Sequence, residues 1–255
     1  MRAYMINLDS DADRLDWMRG QFHRAGIAGW ERVPAVDLRG AAGRARAAEW
    51  AHLPRARLAP AEVGCLMSHA EVWRRIVARG ERLAAVFEDD VSLAPDLGGL
   101  LADDGWIPPG VHLLRLETSL RQVQVSRRVI ARHGATEIRD TFHNRQGTAG
   151  YVISPVRAQA LLEAFDANPA PADIFMFSGR MAHRVSQMIP APCVQTKQGA
   201  GPEFESSIRE ELRARVGRHG RPPRQVTLAR AVAWLQRQSF RLRERPELRV
   251  VPFAE

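Results

Sequence analysis

Short apolar runs alternate along this chain with longer segments whose apolar residues recur every three or four positions. The short runs predict buried strands, and the longer segments predict helices that bury one face. Because the two kinds of segment alternate, we predict an α/β chain with a central sheet covered on both faces. The predicted strands are residues 3–8, 31–36, 83–87, 111–116 and the end of 147–153, and the predicted helices are residues 15–25, 60–79 and 155–165.

Polar side chains gather where the predicted strands end. Asn7 and Asp9 lie at the end of the first strand, Asp37 follows the second, a run of carboxylates follows the third, and Glu117 follows the fourth. In open α/β sheets, ligands bind in the crevice beyond the carboxyl ends of the strands. The sequence therefore predicts a ligand site at this edge of the sheet.

The third strand end carries a concentrated negative charge. The sequence LAAVFEDDV passes directly from an apolar strand into Glu88, Asp89 and Asp90. Adjacent carboxylates repel one another, and a buried unpaired carboxylate is costly, so a divalent cation such as Mg²⁺ or Mn²⁺ would stabilise them. Since side chains alternate in an extended segment, Glu88 and Asp90 share one side and Asp89 takes the other. Acidic loops and helix caps produce similar runs, so the motif alone leaves both interpretations open.

One edge of the predicted helix 60–79 carries Glu62, Cys65 and His69. These residue types bind zinc, but ligands from one helix do not close a tetrahedral site, and the sequence shows no second cluster. A polar wall of a ligand cleft, or a hydrogen-bonding group at the edge of the core, is the better interpretation of His69. Ser68 as a nucleophile with His69 as its base is disfavoured, because adjacent helix residues do not face each other.

Length and composition restrict the class of protein. With 255 residues and a charged share of 26%, the chain has the size and balance of a folded domain with room for a small appendage. Its start lacks a basic segment followed by an apolar run, and no stretch reaches the roughly 20 apolar residues that span a membrane. We therefore expect a cytoplasmic protein in which Cys65 and Cys193 are reduced thiols.

The basic charge is concentrated at the carboxyl end of the chain. From Arg209 onward there are 12 arginines and 5 glutamates, which account for most of the net charge of +8. Residues 217–225 have the composition of a linker, and residues 228–242 have the pattern of a basic amphipathic helix. We predict a main domain at residues 1–210 and a basic tail at residues 211–255. The tail either packs on its own domain or contacts an anionic surface, lipid headgroups or nucleic acid.

Four motifs, taken in order, resemble those of glycosyltransferase family 25. They are INLDSDADR near the start, AEVGCLMSH in the helix, VFEDDV at the acidic strand end, and the glycine loop GTAGYVIS. The family includes the lipooligosaccharide galactosyltransferases of bacteria. The resemblance spans about residues 3–210. It implies a glycosyltransferase A-type fold with a mixed sheet, a sugar nucleotide donor that is usually UDP-galactose, a bound Mn²⁺ or Mg²⁺, inversion at the anomeric carbon, and an oligosaccharide or glycolipid acceptor.

The strand ends and the resemblance together assign roles to individual residues. Glu88 and Asp90 are the predicted metal ligands. The chain departs from the residues usual in the family at Ser10, Asp11 and Ala61, and also at residues 206–208, where it reads Ser-Ser-Ile. The last departure leaves the acceptor undetermined. The predicted donor-binding residues are Asn7, Leu8, Arg14, Asp37, Ser68, His69, Asp89, Gly147, Thr148 and Gly150.

An inverting transfer needs a base that takes the proton of the acceptor hydroxyl. Asp173, in the Pro-Ala-Asp motif that follows the glycine loop, is the first candidate, and Glu117 is the second. Each residue has a local alternative role. Asp173 would cap a helix, and Glu117 would form an ion pair with Arg115 or Arg121.

Three other functions remain open from the sequence. A nucleic-acid-binding protein would use the basic tail, although residues 1–208 are nearly neutral and lack a basic stripe with interleaved aromatic residues. A protein of the same fold could bind a nucleotide sugar without transferring it, or could hydrolyse it with water in place of the acceptor. The presence of Glu88, Asp90 and Asp173 favours an active enzyme over a binding subunit.

Overall fold

In the computed structural model, strands and helices alternate through the first part of the chain, and strands predominate in the second. The helices are α1 (Ala12–Arg24), α2 (Pro60–Arg79), α3 (Leu97–Ala102), α4 (Pro155–Ala164) and α5 (Ala172–Phe177). The strands are β1 (Arg2–Asn7), β2 (Trp30–Pro34), β3 (Ala84–Phe87), β4 (Val91–Leu93), β5 (Leu113–Arg115), β6 (Glu117–Thr118), β7 (Gln122–His133), β8 (Thr136–Phe142), β9 (Gly150–Ile153), β10 (Val185–Ile189), β11 (Cys193–Gln195) and β12 (Glu247–Val250). The structure describes residues 1–41, 43–45, 48, 58–142, 147–165, 170–177, 184–199, 201–202, 204, 239, 242 and 245–254.

Within those residues, nine strands form one mixed sheet in the order β12-β7-β8-β10-β5-β9-β3-β1-β2. β1 lies between β2 and β3 and is parallel to both, with Asn7 opposite Pro34 and Met5 opposite Phe87. β9 runs antiparallel to β3 and β5. A second sheet, β4-β11-β6, begins directly after the acidic residues that follow β3. Because β1, β2 and β3 are parallel, their carboxyl ends meet at one edge.

Alternate residues of the parallel strands enter two separate cores. Met5 packs with Phe22 of α1 on one face of the sheet, whereas Tyr4 packs with Trp73 of α2 on the other. All four side chains are fully buried. The predicted α/β chain, with helices on both faces of a central sheet, is therefore confirmed.

Helix α2 approaches the carboxyl edge of the sheet closely. A Cβ atom at Gly64 would lie 2.5 Å from the carbonyl oxygen of Val36, so a larger residue would push the helix away from the chain after β2. One turn later, the Ser68 hydroxyl accepts a hydrogen bond from the Val36 N–H at 2.8 Å and donates one to the Gly64 carbonyl at 2.7 Å. At the start of the helix, the Glu62 carboxylate accepts the Ala59 N–H at 2.7 Å. These contacts fix which face of α2 reaches the predicted ligand site.

The end of the chain belongs to the main sheet. β12 pairs antiparallel with β7, with Leu248 opposite Gln124. Residues 247–250 belong to the predicted tail at residues 211–255, and their backbone packs on the main domain at the edge of the sheet, one of the arrangements considered from the sequence. The linker at 217–225, most of the predicted helix at 228–242, and residues 206–208 lie outside the described residues. In the part of the chain that is described, no helix has both the length and the apolar character needed to cross a membrane.

Candidate active site

An open cleft of about 910 Å³ lies beyond the carboxyl ends of β1, β2 and β3. Its other walls come from α2, the loop before β9, the start of α5 and the residues after β11. Two of the predicted site residues, Glu117 and Gly150, are not among the described residues that line it. The predicted residues that do line it are Asn7, Leu8, Arg14, Asp37, Ser68, His69, Glu88, Asp89, Asp90, Gly147, Thr148 and Asp173.

Glu88 and Asp90 form the acidic part of the cleft. Glu88 Oε1 lies 3.2 Å from His69 Nε2 and accepts a hydrogen bond from the Thr148 hydroxyl. Both carboxylate oxygens of Asp90 lie 3.4 Å from the side-chain amide nitrogen of Gln195. Burial acts to raise the pKa of Glu88, but the hydrogen bonds from His69 and Thr148 outweigh it, so the pKa is lowered. Burial and the charge of Glu88 raise the pKa of Asp90 to about 7. Ionisation of one carboxyl group therefore opposes ionisation of the other.

Asp89 has partners different from those of Glu88. Its Oδ2 accepts a hydrogen bond from Asn7 Nδ2 at 2.8 Å, and its Oδ1 lies 2.9 Å from Arg14 Nη1 in an ion pair. Asn7 is buried and also donates to the carbonyl of Asp11 at 3.0 Å. Burial raises the pKa of Asp89, and the Arg14 charge offsets part of the rise. Asn7 and Arg14 therefore hold the acidic turn to β1 and α1.

The glycine loop connects Glu117 to the acidic turn. Gly147 has a φ of +74°, and a Cβ atom there would overlap the Glu117 carboxylate, 2.5 Å from Oε2. The Ala149 N–H donates to Glu117 Oε2 at 3.0 Å, and the Ala149 carbonyl accepts the Glu88 N–H at 3.0 Å. Glu117 is 1% exposed, and its Oε2 lies 3.7 Å from Nη2 of Arg115, one of the two partners considered from the sequence. Burial raises the pKa of Glu117 to about 8. Glu117 therefore holds the glycine loop in place from the protein interior, through its hydrogen bond with the Ala149 N–H.

His69 is the middle of a hydrogen-bonded chain that ends at Glu88. The indole N–H of Trp73 donates to the Tyr151 hydroxyl at 3.0 Å, and that hydroxyl lies 2.9 Å from His69 Nδ1. Burial raises the pKa of Tyr151 well above its ordinary value, so the hydroxyl keeps its proton at neutral pH. Cys65 stands one helical turn before His69. Its Sγ, a ring nitrogen of His69 and a carboxylate oxygen of Glu88 lie within 4.8 Å of one another.

Asp37 and Ser68, two other predicted site residues, line the cleft, and the side chain of each already forms hydrogen bonds within the protein. Asp37 accepts hydrogen bonds from the N–H, Nε and Nη2 of Arg39 at 3.0, 2.9 and 2.8 Å. These bonds lower the pKa of Asp37 to about 2. The hydroxyl of Ser68 bridges the two backbone groups described above. These two hydrogen bonds serve the packing of α2.

Asp173 lies at the start of α5, on the wall of the cleft formed by residues 171–174. Its Oδ1 accepts the Ile174 N–H at 2.7 Å, a contact with the next residue of the same helix. Burial, the charge of Glu88 and the charge of Asp173 raise the pKa of Cys65 well above its ordinary value. The Asp173 carboxylate is therefore close enough to α2 for its charge to act on the thiol of Cys65.

Several cleft residues were not predicted from the sequence. Lys197, the single lysine of the chain, follows β11 and lines the cleft. Its charge opposes the rise in the pKa of Asp90 that burial and Glu88 produce. Phe204 also lines the cleft, with its ring centroid 5.1 Å from the guanidinium carbon of Arg14. No local pattern marks Lys197, because the strand before it has three residues and is too short to show periodicity.

Known proteins match this chain over much of its length. The sequence model of glycosyltransferase family 25, described as an LPS biosynthesis protein family, matches residues 1–176. The lacto-N-neotetraose biosynthesis glycosyltransferase LgtB of Neisseria meningitidis serogroup B is 29% identical over 277 residues, covering 99% of this chain and 100% of the relative. LgtB of Neisseria gonorrhoeae is 34% identical over 150 residues, 54% of each chain. The lipooligosaccharide biosynthesis protein lex-1 of Haemophilus influenzae is 27% identical over 177 residues, 61% of this chain and 59% of the relative.

Similarity to a solved structure is weaker. The mannose-1-phosphate geranyltransferase of Thermus thermophilus is 12% identical, covers 73% of this chain and 72% of its own, and gives a TM-score of 0.36, which is too low to establish a shared fold. The family match, in contrast, spans more than half of the chain and includes α2, the acidic turn and the glycine loop. This chain therefore belongs to glycosyltransferase family 25.

Proposed function

We propose that this protein is a metal-dependent, inverting glycosyltransferase that moves a hexose, galactose from UDP-galactose, onto a saccharide acceptor of lipopolysaccharide or a related surface glycan. The observation that carries the proposal is that the acidic turn at residues 88–90, the glycine loop and α2 surround one cleft in a member of family 25. We assign the glycosyltransferase A-type fold, with the nucleotide at the carboxyl edge of β1, β2 and β3. The names of the matched relatives, lacto-N-neotetraose and lipooligosaccharide biosynthesis proteins, support the choice of acceptor.

Glu88 and Asp90 fit a hard divalent cation. Both residues line the cleft, and after burial it is the charge of Glu88 that most raises the pKa of Asp90, a repulsion that a bound cation would relieve. Carboxylate oxygens suit Mg²⁺ and Mn²⁺, which take one or two protein carboxylates together with substrate phosphates. When bound, the cation would neutralise charge on the diphosphate as it leaves.

Cationic side chains on the same cleft are suited to the phosphates of the donor. Arg14 and Arg39 also line the cleft, but Arg14 forms an ion pair with Asp89 and Arg39 forms one with Asp37. We therefore assign the diphosphate contact to Lys197. Asp37, anchored by Arg39, has remaining lone pairs that can accept hydrogen bonds from the hydroxyl groups of the nucleoside or the sugar.

Asp173 is the base in this proposal. It lines the cleft, whereas Glu117 is buried behind the glycine loop. Asp173 takes the proton of the acceptor hydroxyl while that oxygen attacks the anomeric carbon from the face opposite the diphosphate. The new glycosidic bond forms as the bond from the anomeric carbon to the diphosphate oxygen breaks, and the nucleoside diphosphate leaves with the electron pair.

We also place the reaction in the cytoplasm, with the basic segment at residues 211–242 in contact with the inner face of the membrane. The excess of arginine in that segment supports this placement, because polybasic segments bind anionic lipid surfaces. Sedimentation of the full chain with vesicles tests it. Salt-sensitive binding to anionic but not to zwitterionic vesicles is expected, and absence of binding at low salt would overturn the placement. Nucleic acid is not among the proposed partners.

A donor screen tests the proposed reaction. The purified chain is incubated with Mn²⁺, UDP-galactose, UDP-glucose or UDP-N-acetylglucosamine, and oligosaccharide acceptors, and products are identified by mass. We expect addition of one hexose from UDP-galactose, an inverted anomeric configuration in the product, and loss of transfer after chelation. Free galactose without a coupled product would instead identify a hydrolase. Binding of UDP-galactose without turnover would identify a binding protein.

A further inference from the structure

We propose that Cys65, His69 and Glu88 form a binding site for a borderline-soft divalent cation of the Zn²⁺ type. This ligand set differs from the Glu88 and Asp90 pair assigned above to Mg²⁺ or Mn²⁺, but the two sites share Glu88. A cation of the Zn²⁺ type bound here would therefore inhibit the enzyme. The inhibitory part rests on the proposed function, whereas the binding itself does not.

Two different elements bring these ligands together. Cys65 and His69 are four residues apart on α2, so their side chains lie on the same face of the helix. Glu88 directly follows β3, and its Oε1 lies 3.2 Å from Nε2 of His69. One ligand atom from each of the three residues lies within 4.8 Å of the other two. All three residues line the cleft, which leaves a side of the site open to water or substrate.

The donor set selects the type of cation. A thiolate, an imidazole and a carboxylate are each common ligands of Zn²⁺, and three protein ligands with one open position are typical of reactive zinc sites. A thiolate favours Zn²⁺ over Mg²⁺ and Mn²⁺, which prefer oxygen ligands. The carboxylates of Glu62, Asp90 and Asp173 line the same cleft, so the site lies in a region of negative potential that attracts a cation.

The surroundings of His69 allow its Nε2 to become a ligand. The Tyr151 oxygen accepts the Trp73 N–H and still has a lone pair and a hydrogen of its own. It can therefore donate to His69 Nδ1, in which case Nε2–H donates to Glu88. It can equally accept a hydrogen bond from Nδ1–H, which leaves the Nε2 lone pair directed at the cation. Tyr151 thus corresponds to the second hydrogen-bond partner that orients the imidazole ring of most metal-binding histidines.

Co²⁺ is the probe for this site, because a thiolate bound to Co²⁺ gives a charge-transfer absorption in the near ultraviolet. The full wild-type chain should show this band, and Cys65→Ser should lose it. The matched control is Cys193→Ala, since Cys193 is the other cysteine of the chain and lies in the core. That control should keep the band. Absence of the band in the wild type, or its persistence in Cys65→Ser, would overturn the proposal. Circular dichroism verifies that each variant is folded.

Zn²⁺ affinity and inhibition provide the second readout. Tyr151→Phe should weaken Zn²⁺ binding by about 10- to 100-fold, as loss of an outer hydrogen-bond partner typically does. Zn²⁺ should inhibit Mn²⁺-dependent transfer by the wild type, and a higher Zn²⁺ concentration should be needed with Cys65→Ser. If the Co²⁺ band forms but no sugar donor is turned over, the site stands and the proposed function fails. If transfer occurs without a thiolate band, the proposed function stands and the site fails. Zn²⁺ binding without inhibition would overturn the inhibitory role.

Discussion

The carboxylate of Glu117 occupies the space that a Cβ atom on Gly147 would need. The left-handed φ of +74° at this position also disfavours any residue with a side chain, at a cost of about 1–2 kcal/mol. Gly147→Ala should therefore lower the free energy of unfolding by more than that amount and displace Glu117. Because the loop donates its Thr148 hydroxyl to Glu88, affinity for UDP with Mn²⁺ should fall as well. Thermal denaturation and UDP titration measure the two effects.

Gly20 on α1 is the matched control for Gly147. A Cβ atom at Gly20 meets no other group within 4 Å, and the residue lies inside a helix. Gly20→Ala should therefore stabilise the protein by about 0.5–1 kcal/mol, since alanine is preferred to glycine in helices. Wild-type stability and UDP affinity in Gly147→Ala would show that Glu117 does not constrain the loop.

Glu117 should make the protein less stable as the pH rises. Burial raises its pKa from 4.5 to about 8, so between these values the folded state holds a proton that the unfolded chain has lost. The stability due to this group is therefore fully present below about pH 4.5 and is lost as the pH rises through about 8. Glu117→Gln keeps an oxygen for the Ala149 N–H but does not ionise, so its stability should depend less on pH. Urea unfolding across this range measures the slope, with the exposed Glu163→Gln as a control that should retain the wild-type slope. Equal slopes in Glu117→Gln and the wild type would contradict the assignment.

Asp90→Ala should abolish the effect of Mn²⁺ on UDP binding. Asp90 lines the cleft beside Glu88, and its side chain contacts the amide of Gln195 without being part of the packed core. The fold should therefore be retained. UDP affinity measured by titration calorimetry with and without Mn²⁺ should become the same in this variant, whereas the exposed Asp16→Asn should behave like the wild type. A Mn²⁺ effect of wild-type size in Asp90→Ala would remove this residue from the metal site.

The first half of the site follows from local signals in the sequence. Asn7, Asp37 and Glu88 each stand where a short apolar run ends, and the parallel register of β1, β2 and β3 places those ends together. The position of α2 is less accessible from the sequence. Helical spacing shows that Cys65 and His69 share a face, but it does not show that Glu88 lies close to both.

The second half of the fold has weaker sequence signals. β7 and β8 form a hairpin in which the register shifts between Val125 and Val129, so strict alternation of apolar and polar residues is lost. β11 has three residues, too few for periodicity to identify it. β12 follows a long arginine-rich segment, whose charge suggested a tail rather than an edge strand. Lys197 follows β11 and carries no local signal of its own, and only the fold shows that it lines the cleft.

Asp173→Asn should abolish transfer while leaving UDP and Mn²⁺ binding intact. The amide can still accept the Ile174 N–H, so the start of α5 is preserved, but it is a far weaker acceptor for a proton. The expected loss is about 10²- to 10⁴-fold in the rate of transfer, the usual contribution of a positioned base. Single-turnover rates and UDP titration separate the two properties. Turnover at the wild-type rate would assign the base to another residue, and Glu117→Gln would then be assayed in the same way.

Lys197→Gln should weaken donor binding without altering the fold. Lys197 lines the cleft, its charge acts on Glu88 and Asp90, and it is the residue to which we assign the diphosphate contact. Loss of a hydrogen bond to a charged group costs about 1.5–3 kcal/mol, which corresponds to about a 10- to 100-fold rise in the dissociation constant of UDP. Lys197→Arg keeps the charge and should recover most of the affinity. Because the contact is ionic, the difference between the wild type and Lys197→Gln should shrink at high salt. Equal UDP affinity in all three proteins would show that the diphosphate lies elsewhere in the cleft.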